Sequence, residues 1–414
     1  LKLIKLHTNI QIRLLDQFLR AIAFHMITPF MIIYFSSHFS QALTGVILMG
    51  NLVLTFITAL CGGYFADQFS RKKIMVGAET TRFIAMVIMC IASTPIINSP
   101  VTILLMVIIN SLCIGFARPA GSAMIADSSQ LEERKYIFTL DYWFYNVAMC
   151  LGALAGGFFF KSYLSVLLIL VATFSLFSLL LILFVIKDTY RHTHQATKER
   201  KLLQKIIFNY KNVLSDSVLR MFLLANLLSL SVQIQTMDFT VVRLANEMKP
   251  QSLFSFQVNG MEMFGVLNSI NSLLVIGLGF FFTRLATHIR DTWQLTIGLL
   301  LYSVGFTIIS ISNSSYVLII AMILVVIGEL FYVPVKQSLF IDIVPVENRA
   351  SYMATNDLGI LGATLLGGLA VSLGAFFPSW IMGSLFFACG ISSLILFGKI
   401  FARKKLNQVD TLAN

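Results

Sequence analysis

The sequence predicts an all-α polytopic membrane protein, with twelve transmembrane helices in two pseudo-symmetric six-helix halves. Three observations carry this. Hydrophobic residues make up 57% of the 414-residue chain and charged residues only 12%, against roughly a quarter charged in soluble proteins. The apolar residues gather in runs that match the ~20 residues a helix needs to cross a hydrocarbon core about 30 Å thick. The bases alternate from side to side: 23 of the 30 Lys and Arg residues fall at the termini or in every second loop, which puts both termini in the cytoplasm and makes the span number even.

Apolar runs bounded by charged breaks predict spans near 14–36, 43–66, 74–94, 101–125, 137–160, 163–186, 218–242, 262–283, 293–311, 316–341, 351–375 and 379–400. Lys2, Lys5 and Arg13 lead straight into the first span, with no signal peptide apparent. Arg71, Lys72 and Lys73 mark the second loop and Arg134 and Lys135 the fourth, whereas only Lys161, Arg243 and Lys249 face the opposite side. Residues 1–186 and 218–402 then form the two halves, and 403–414 a cytoplasmic tail. The basic stretch 187–217 joins the halves; Leu202, Leu203, Ile206, Ile207, Tyr210, Val213 and Leu214 recur in it at helical spacing, as in an amphipathic helix lying on anionic headgroups. Internal repetition supports the halves. Pro119, Asp127, Arg134 and Gly152 recur 215 positions later as Pro334, Asp342, Arg349 and Gly367.

Several function classes are excluded. A net charge of +11 suggests nucleic acid only when the bases form one patch, and here they are spread over alternate loops. The five cysteines lie in or beside apolar runs without C-x-x-C spacing, so they read as packing residues. His192 and His194 are isolated on the linker, and no metal site or cofactor is expected. Gly398-Lys399 is followed by Ile400 rather than Ser or Thr, and neither H-E-x-x-H nor G-x-S-x-G occurs. An ATP-driven pump and a membrane-embedded enzyme are both disfavoured. His25, inside the first span, reads as a packing residue.

The stretch Gly62 to Lys73 interrupts the apolar landscape with paired glycines, Asp67 and three bases. It reads as a cytoplasmic hairpin: Gly62 and Gly63 let helices approach, Asp67 accepts from a helix N-terminus, and Arg71, Lys72 and Lys73 fix the loop inside. Together with Asp127 these residues are candidates for a conformational gate, in which Asp127 pairs with Arg71 while Asp67 meets the eleventh span near Ser351. The second-half counterpart, around Gly277 to Asp291, has Thr283 in place of the acid.

Ionisable groups inside spans cost about 2.5–3.5 kcal/mol each on insertion scales and therefore need a partner or a purpose. Glu329 lies deep in the tenth span between Gly328 and Pro334, where a carboxyl can carry a proton or a cation. Asp141 opens the fifth span just before Tyr142 and Trp143, so that a cation can meet charge and ring faces together; the alternative is an interfacial acid near the start of its own helix. Asp238 lies toward the outer end of the seventh span, with Arg243 or Lys249 as alternative partners. Arg20, Arg82, Arg118, Glu262 and Lys336 add span charges whose partners a sequence does not reveal.

The Gly62–Lys73 stretch resembles the loop signature G-x-x-x-D-x-x-x-R-K/R-K/R of the major facilitator superfamily of secondary transporters. Asn9 to Leu14, the segment ending at Asp127, Asp141 to Trp143, the Asp238 region and Gly328 to Pro334 extend the resemblance, in order and through nearly the whole chain, to its proton-driven multidrug antiporters. That resemblance implies proton coupling and lipophilic-cation binding at Asp141, Asp238 and Glu329, and export of the kind that confers antibiotic resistance. It also implies a bacterial-type plasma membrane, lipids and protons as partners, and a functional monomer. Two departures stand out. The fifth-span motif G-P-x-x-G-G appears as Gly152 to Gly157 with Ala153 for proline, keeping Gly152, Gly156 and Gly157 for close helix packing, and the usual fourth-span arginine before Gly115 is missing, with Arg118 further along. The alternative cargo on the same fold is a metabolite, sugar or lipid.

Overall fold

The structure is a computed structural model that describes residues 6–188, 217–286, 289–343 and 349–413. The expected linker helix over 202–214, with His192 and His194, lies outside them. Among the described residues eleven helical segments form: α1 (Thr8–Phe39), α2 (Gln41–Gln68), α3 (Arg71–Ala92), α4 (Pro100–Ser128), α5 (Leu131–Phe184), α6 (Ser217–Glu247), α7 (Gly260–Ala286), α8 (Asp291–Ile311), α9 (Ser315–Ile343), α10 (Arg349–Leu373) and α11 (Ser379–Ala413). Ten of them are long and apolar enough to cross a membrane, and α10 has a shorter apolar stretch, Gly359–Leu373.

The spans predicted at 137–160 and 163–186 both lie within α5, as two helical stretches that meet at a kink where Tyr163 leaves helical geometry at φ −134°, ψ 35°. The loop after α6 holds a small antiparallel hairpin, β1 (Gln251–Leu253) and β2 (Phe256–Val258), whose two-residue turn puts Phe254 at φ 52°.

The chain divides into two compact units, Leu1–Thr193 with Gly260–Leu273, and His194–Asn259 with Leu274–Asn414. In the first, α1 lies against α5 at a glycine seam: a Cβ on Gly152 would fall 2.6 Å from the Ile22 carbonyl oxygen, and one on Gly156 2.5 Å from that of Met26. The first half of α7 joins this unit through Gly157 and Gly265, where a Cβ on Gly265 would come within 2.5 Å of the Ala153 oxygen. Small residues thus replace the hydrophobic effect, which gives no drive between helices already in lipid. Of the paired glycines in the α2–α3 hairpin, only Gly62 makes such an approach, against the Phe116 backbone; Gly63 has Pro119 no nearer than 4.0 Å. Buried Met75, Ala120, Met124 and Ile182 fill the space beside it.

In the second unit α8 and α9 cross at Gly298 and Gly328, and α6, α10 and α11 enclose Phe239, Ala370, Met382 and Phe386. Gly156→Leu is expected to destabilise the protein by about 1–3 kcal/mol, as over-packing does. Gly277→Leu, whose added carbon meets nothing within 4 Å, is expected to be silent. Thermal unfolding of the detergent-purified variants compares the two, and equal midpoints would remove the seam from the account of packing.

Candidate functional site

Asp16 on α1 is the centre of a buried ionic network. Its carboxylate, 0% exposed, accepts from Arg13, from Ser178 of α5, and from Arg20 Nε at 2.8 Å and Nη2 at 2.5 Å. Arg20 Nη1 reaches Glu79 of α3 at 3.1 Å, and Glu79 also takes Arg82 Nη1 at 3.2 Å. Arg82 Nε then donates to Asn110 of α4 at 3.1 Å. Helical spacing explains the short links, since 13, 16 and 20, like 79 and 82, share a face at i, i+3 and i+4. Gly121 of α4 lies directly against the Arg13 guanidinium, which an added side chain would have to displace. Arg13, counted above with the N-terminal loop, is therefore 4% exposed inside α1.

The five charges comprise three arginines and two carboxylates, leaving one positive charge in excess. Asp141 lies within electrostatic reach of Arg13. It is half-buried and sits ten residues, or about 15 Å, inside α5, which removes the reading as an acid at the start of its helix. Tyr142 and Trp143 beside it are 55% and 46% exposed. His25 packs edge-on between Phe24 and Tyr145, at 5.2 and 5.3 Å between ring centroids.

Glu329 stands on α9 with Tyr332 and Lys336 at i+3 and i+7, one face of the helix. Tyr332 and Tyr302 of α8 are both fully buried with centroids 4.9 Å apart. The Lys336 ammonium lies 5.3 Å over the Tyr332 ring, within electrostatic reach of Glu329. Lys336, whose partner the sequence left open, thus lies over an aromatic face.

Asp238 packs between α6 and α10, where a Cβ on Gly367 would fall 2.7 Å from its Oδ2. Arg243 does not serve it. That guanidinium turns to the end of α8, donating to the carbonyls of Ile309 at 2.9 Å and Ser312 at 2.7 Å and to Asn313 Oδ1 at 2.6 Å, with Glu247 at 3.3 Å. A cation on the last carbonyls of a helix opposes the negative end of its dipole. Arg118 is exposed on α4, and Glu262 is in the first turn of α7, where an acid is favoured.

At the α2–α3 hairpin, the Arg71 guanidinium pairs with the Asp127 carboxylate of α4. Ser70 caps α3 by accepting from Lys73 N at 3.1 Å and donates to Asp188. Asp67 ends α2 in helical backbone; its side chain and that of Ser351 lie outside the described residues, as does that of Arg349. Among the described residues no group of three or more His, Cys, Asp or Glu is arranged to hold a metal ion.

The profile described as Major Facilitator Superfamily matches residues 15–261 and 244–410. A curated relative from Planococcus maritimus, named Na(+), Li(+), K(+)/H(+) antiporter, is 28% identical over 405 residues, covering 94% of this chain and 96% of its own. An uncharacterized MFS-type transporter, YqjV of Bacillus subtilis strain 168, is 21% identical over 395 residues, covering 93% and 91%. Among solved structures, a POT family transporter in complex with a thioalcohol-conjugated peptide superposes with a TM-score of 0.71 at 15% identity, covering 94% of this chain and 96% of that one. At that identity the likeness concerns the fold.

Proposed function

The chain belongs to the major facilitator superfamily, and from that premise we propose that it is a proton-coupled antiporter exporting lipophilic cations by alternating access. The observation that carries this reading is the setting of Glu329, a carboxylate inside an apolar span beside the buried rings of Tyr302 and Tyr332. Charge and ring face together suit an organic cation. Asp141, next to exposed Tyr142 and Trp143, repeats the combination in the other unit, and Asp238 is the third candidate carboxyl.

The mechanism is competition. A carboxylate that is ionised attracts the cation, and the same carboxyl once protonated releases it. At Glu329 a third competitor is proposed in Lys336, two turns along the same face of α9 and over the Tyr332 ring. Alternating access converts this exchange into export when protons arrive from the opposite side to the cargo. The loop charge bias supports a bacterial-type plasma membrane with both termini cytoplasmic.

Small alkali cations are the second reading, favoured by the printed activity of the Planococcus relative. Inverted membrane vesicles energised by respiration separate the two. Lipophilic-cation transport appears as uptake of ethidium that a protonophore abolishes; alkali transport appears as collapse of the proton gradient on adding sodium or potassium, without ethidium uptake.

The gate is proposed on the Gly62–Lys73 hairpin, with Gly63, Asp67, Arg71, Lys72 and Asp127 as its parts. The Arg71–Asp127 pair ties α3 to α4, and Asp67 is proposed to bias the conformational equilibrium through a helix N-terminus. Asp67→Asn is expected to stop transport while ethidium binding to the purified protein persists. Unimpaired transport by that variant would remove Asp67 from the gate.

A further inference from the structure

An apolar groove of ≈ 610 Å³ runs along α2, α3 and α4 of the first unit. Phe65 of α2, Phe69 at its C-cap, Ile74 and Gly77 of α3, and Leu112 and Phe116 of α4 line it. Its threonine hydroxyls are turned to their own helices: Thr58 donates to the Thr55 carbonyl at 2.9 Å and Thr81 to that of Gly77 at 3.0 Å. With those donors already used, the lining favours hydrocarbon. Along α2 and its C-cap the groove extends from Thr58 to Phe69, twelve residues or about 16 Å from first to last, close to the ~15 Å that one leaflet contributes to a 30 Å core.

Among the described residues one charged side chain lines the groove, and it lies at one end. Lys73, in the first turn of α3, is exposed and makes no ion pair among the described residues. By the charge bias of the loops this end faces the cytoplasmic leaflet. Arg71 beside it is committed to Asp127, so Lys73 carries the available charge.

We propose that this groove is a binding site for one anionic phospholipid, with an acyl chain lying between Phe65, Gly77 and Phe116 and the phosphate at Lys73. The length of the apolar channel selects a chain, and the lysine at its mouth selects the headgroup charge. A base near an anionic lipid surface contributes about 1 kcal/mol, which corresponds to a preference of about fivefold over a zwitterionic lipid with the same chains.

Two variants divide the site into its parts. Lys73→Gln removes the charge. Gly77→Leu fills the channel, and its added carbon meets nothing within 4 Å, so the helices need not move. Full-length protein equilibrated with mixed vesicles of phosphatidylglycerol and phosphatidylcholine is released into the gas phase, and retained lipids are counted by native mass spectrometry. The wild type is expected to keep one phosphatidylglycerol that Gly77→Leu does not keep, and Lys73→Gln to lose the preference for it by about fivefold. Equal retention in Gly77→Leu, no preference between the two lipids in the wild type, or displacement by glycerol phosphate alone would each overturn the proposal.

Discussion

Glu329→Gln is expected to abolish proton-driven export while leaving the fold intact. Glutamine keeps the volume of the side chain and its capacity to hydrogen-bond, but it neither binds a proton at working pH nor attracts a cation. The charge-assisted interaction it removes is worth about 1.5–3 kcal/mol, so ethidium binding should weaken about 10- to 100-fold. Asp141→Asn should share the loss of coupling. Fluorescence binding to purified protein and ethidium uptake into energised inverted vesicles measure the two effects separately. Tight binding with normal uptake in Glu329→Gln would transfer the coupling role to another carboxyl, with Asp238 next in line because Arg243 is occupied at the end of α8.

Asp16→Asn is expected to be the most damaging substitution for stability, more so than over-packing the glycine seam. The carboxylate faces Arg13 and Arg20 with no exposure to solvent, and asparagine would leave both guanidinium groups without it. Removing one member of a buried pair costs about 3–5 kcal/mol, because a charge remains in a medium that cannot solvate it. Glu79→Gln should act similarly through Arg20 and Arg82. The diagnostic is non-additivity: Arg20→Gln should restore part of the stability lost in Asp16→Asn, as coupled neighbours do. Thermal unfolding of the purified proteins measures it, and an unchanged midpoint in Asp16→Asn would make the network incidental.

This network also shows where a single sequence stops being legible. The helices were readable because hydropathy and loop charge act locally, and the expected span near 101–125 differs from α4 (Pro100–Ser128) by only a few residues. Asp16 and Glu79 stood in plain view yet carried no signal, since each lies near the expected border of a span and looks like a loop acid. Their partners come from three helices, and that convergence is a property of packing. Arg20, Arg82 and Lys336 were recognisable as charges in the wrong place, but only the fold assigns them partners. Arg13 was misread for a related reason: α1 starts at Thr8 rather than near residue 14, so a base expected in the loop is drawn into the core by Asp16. The Arg71–Asp127 pair was legible because Arg71 belongs to a loop signature and Asp127 recurs in the second half as Asp342. The hairpin after α6 was not, because Phe254 adopts a backbone geometry that glycine would ordinarily signal.

The account rests on exchange of an organic cation for protons. Purified protein reconstituted into vesicles containing a pH-sensitive dye tests this without any other cellular component. Addition of ethidium to the outside is predicted to alkalinise the lumen of wild-type vesicles and not that of Glu329→Gln vesicles. Ethidium entry with no movement of protons, or proton movement evoked by sodium and potassium but not by ethidium, would contradict it.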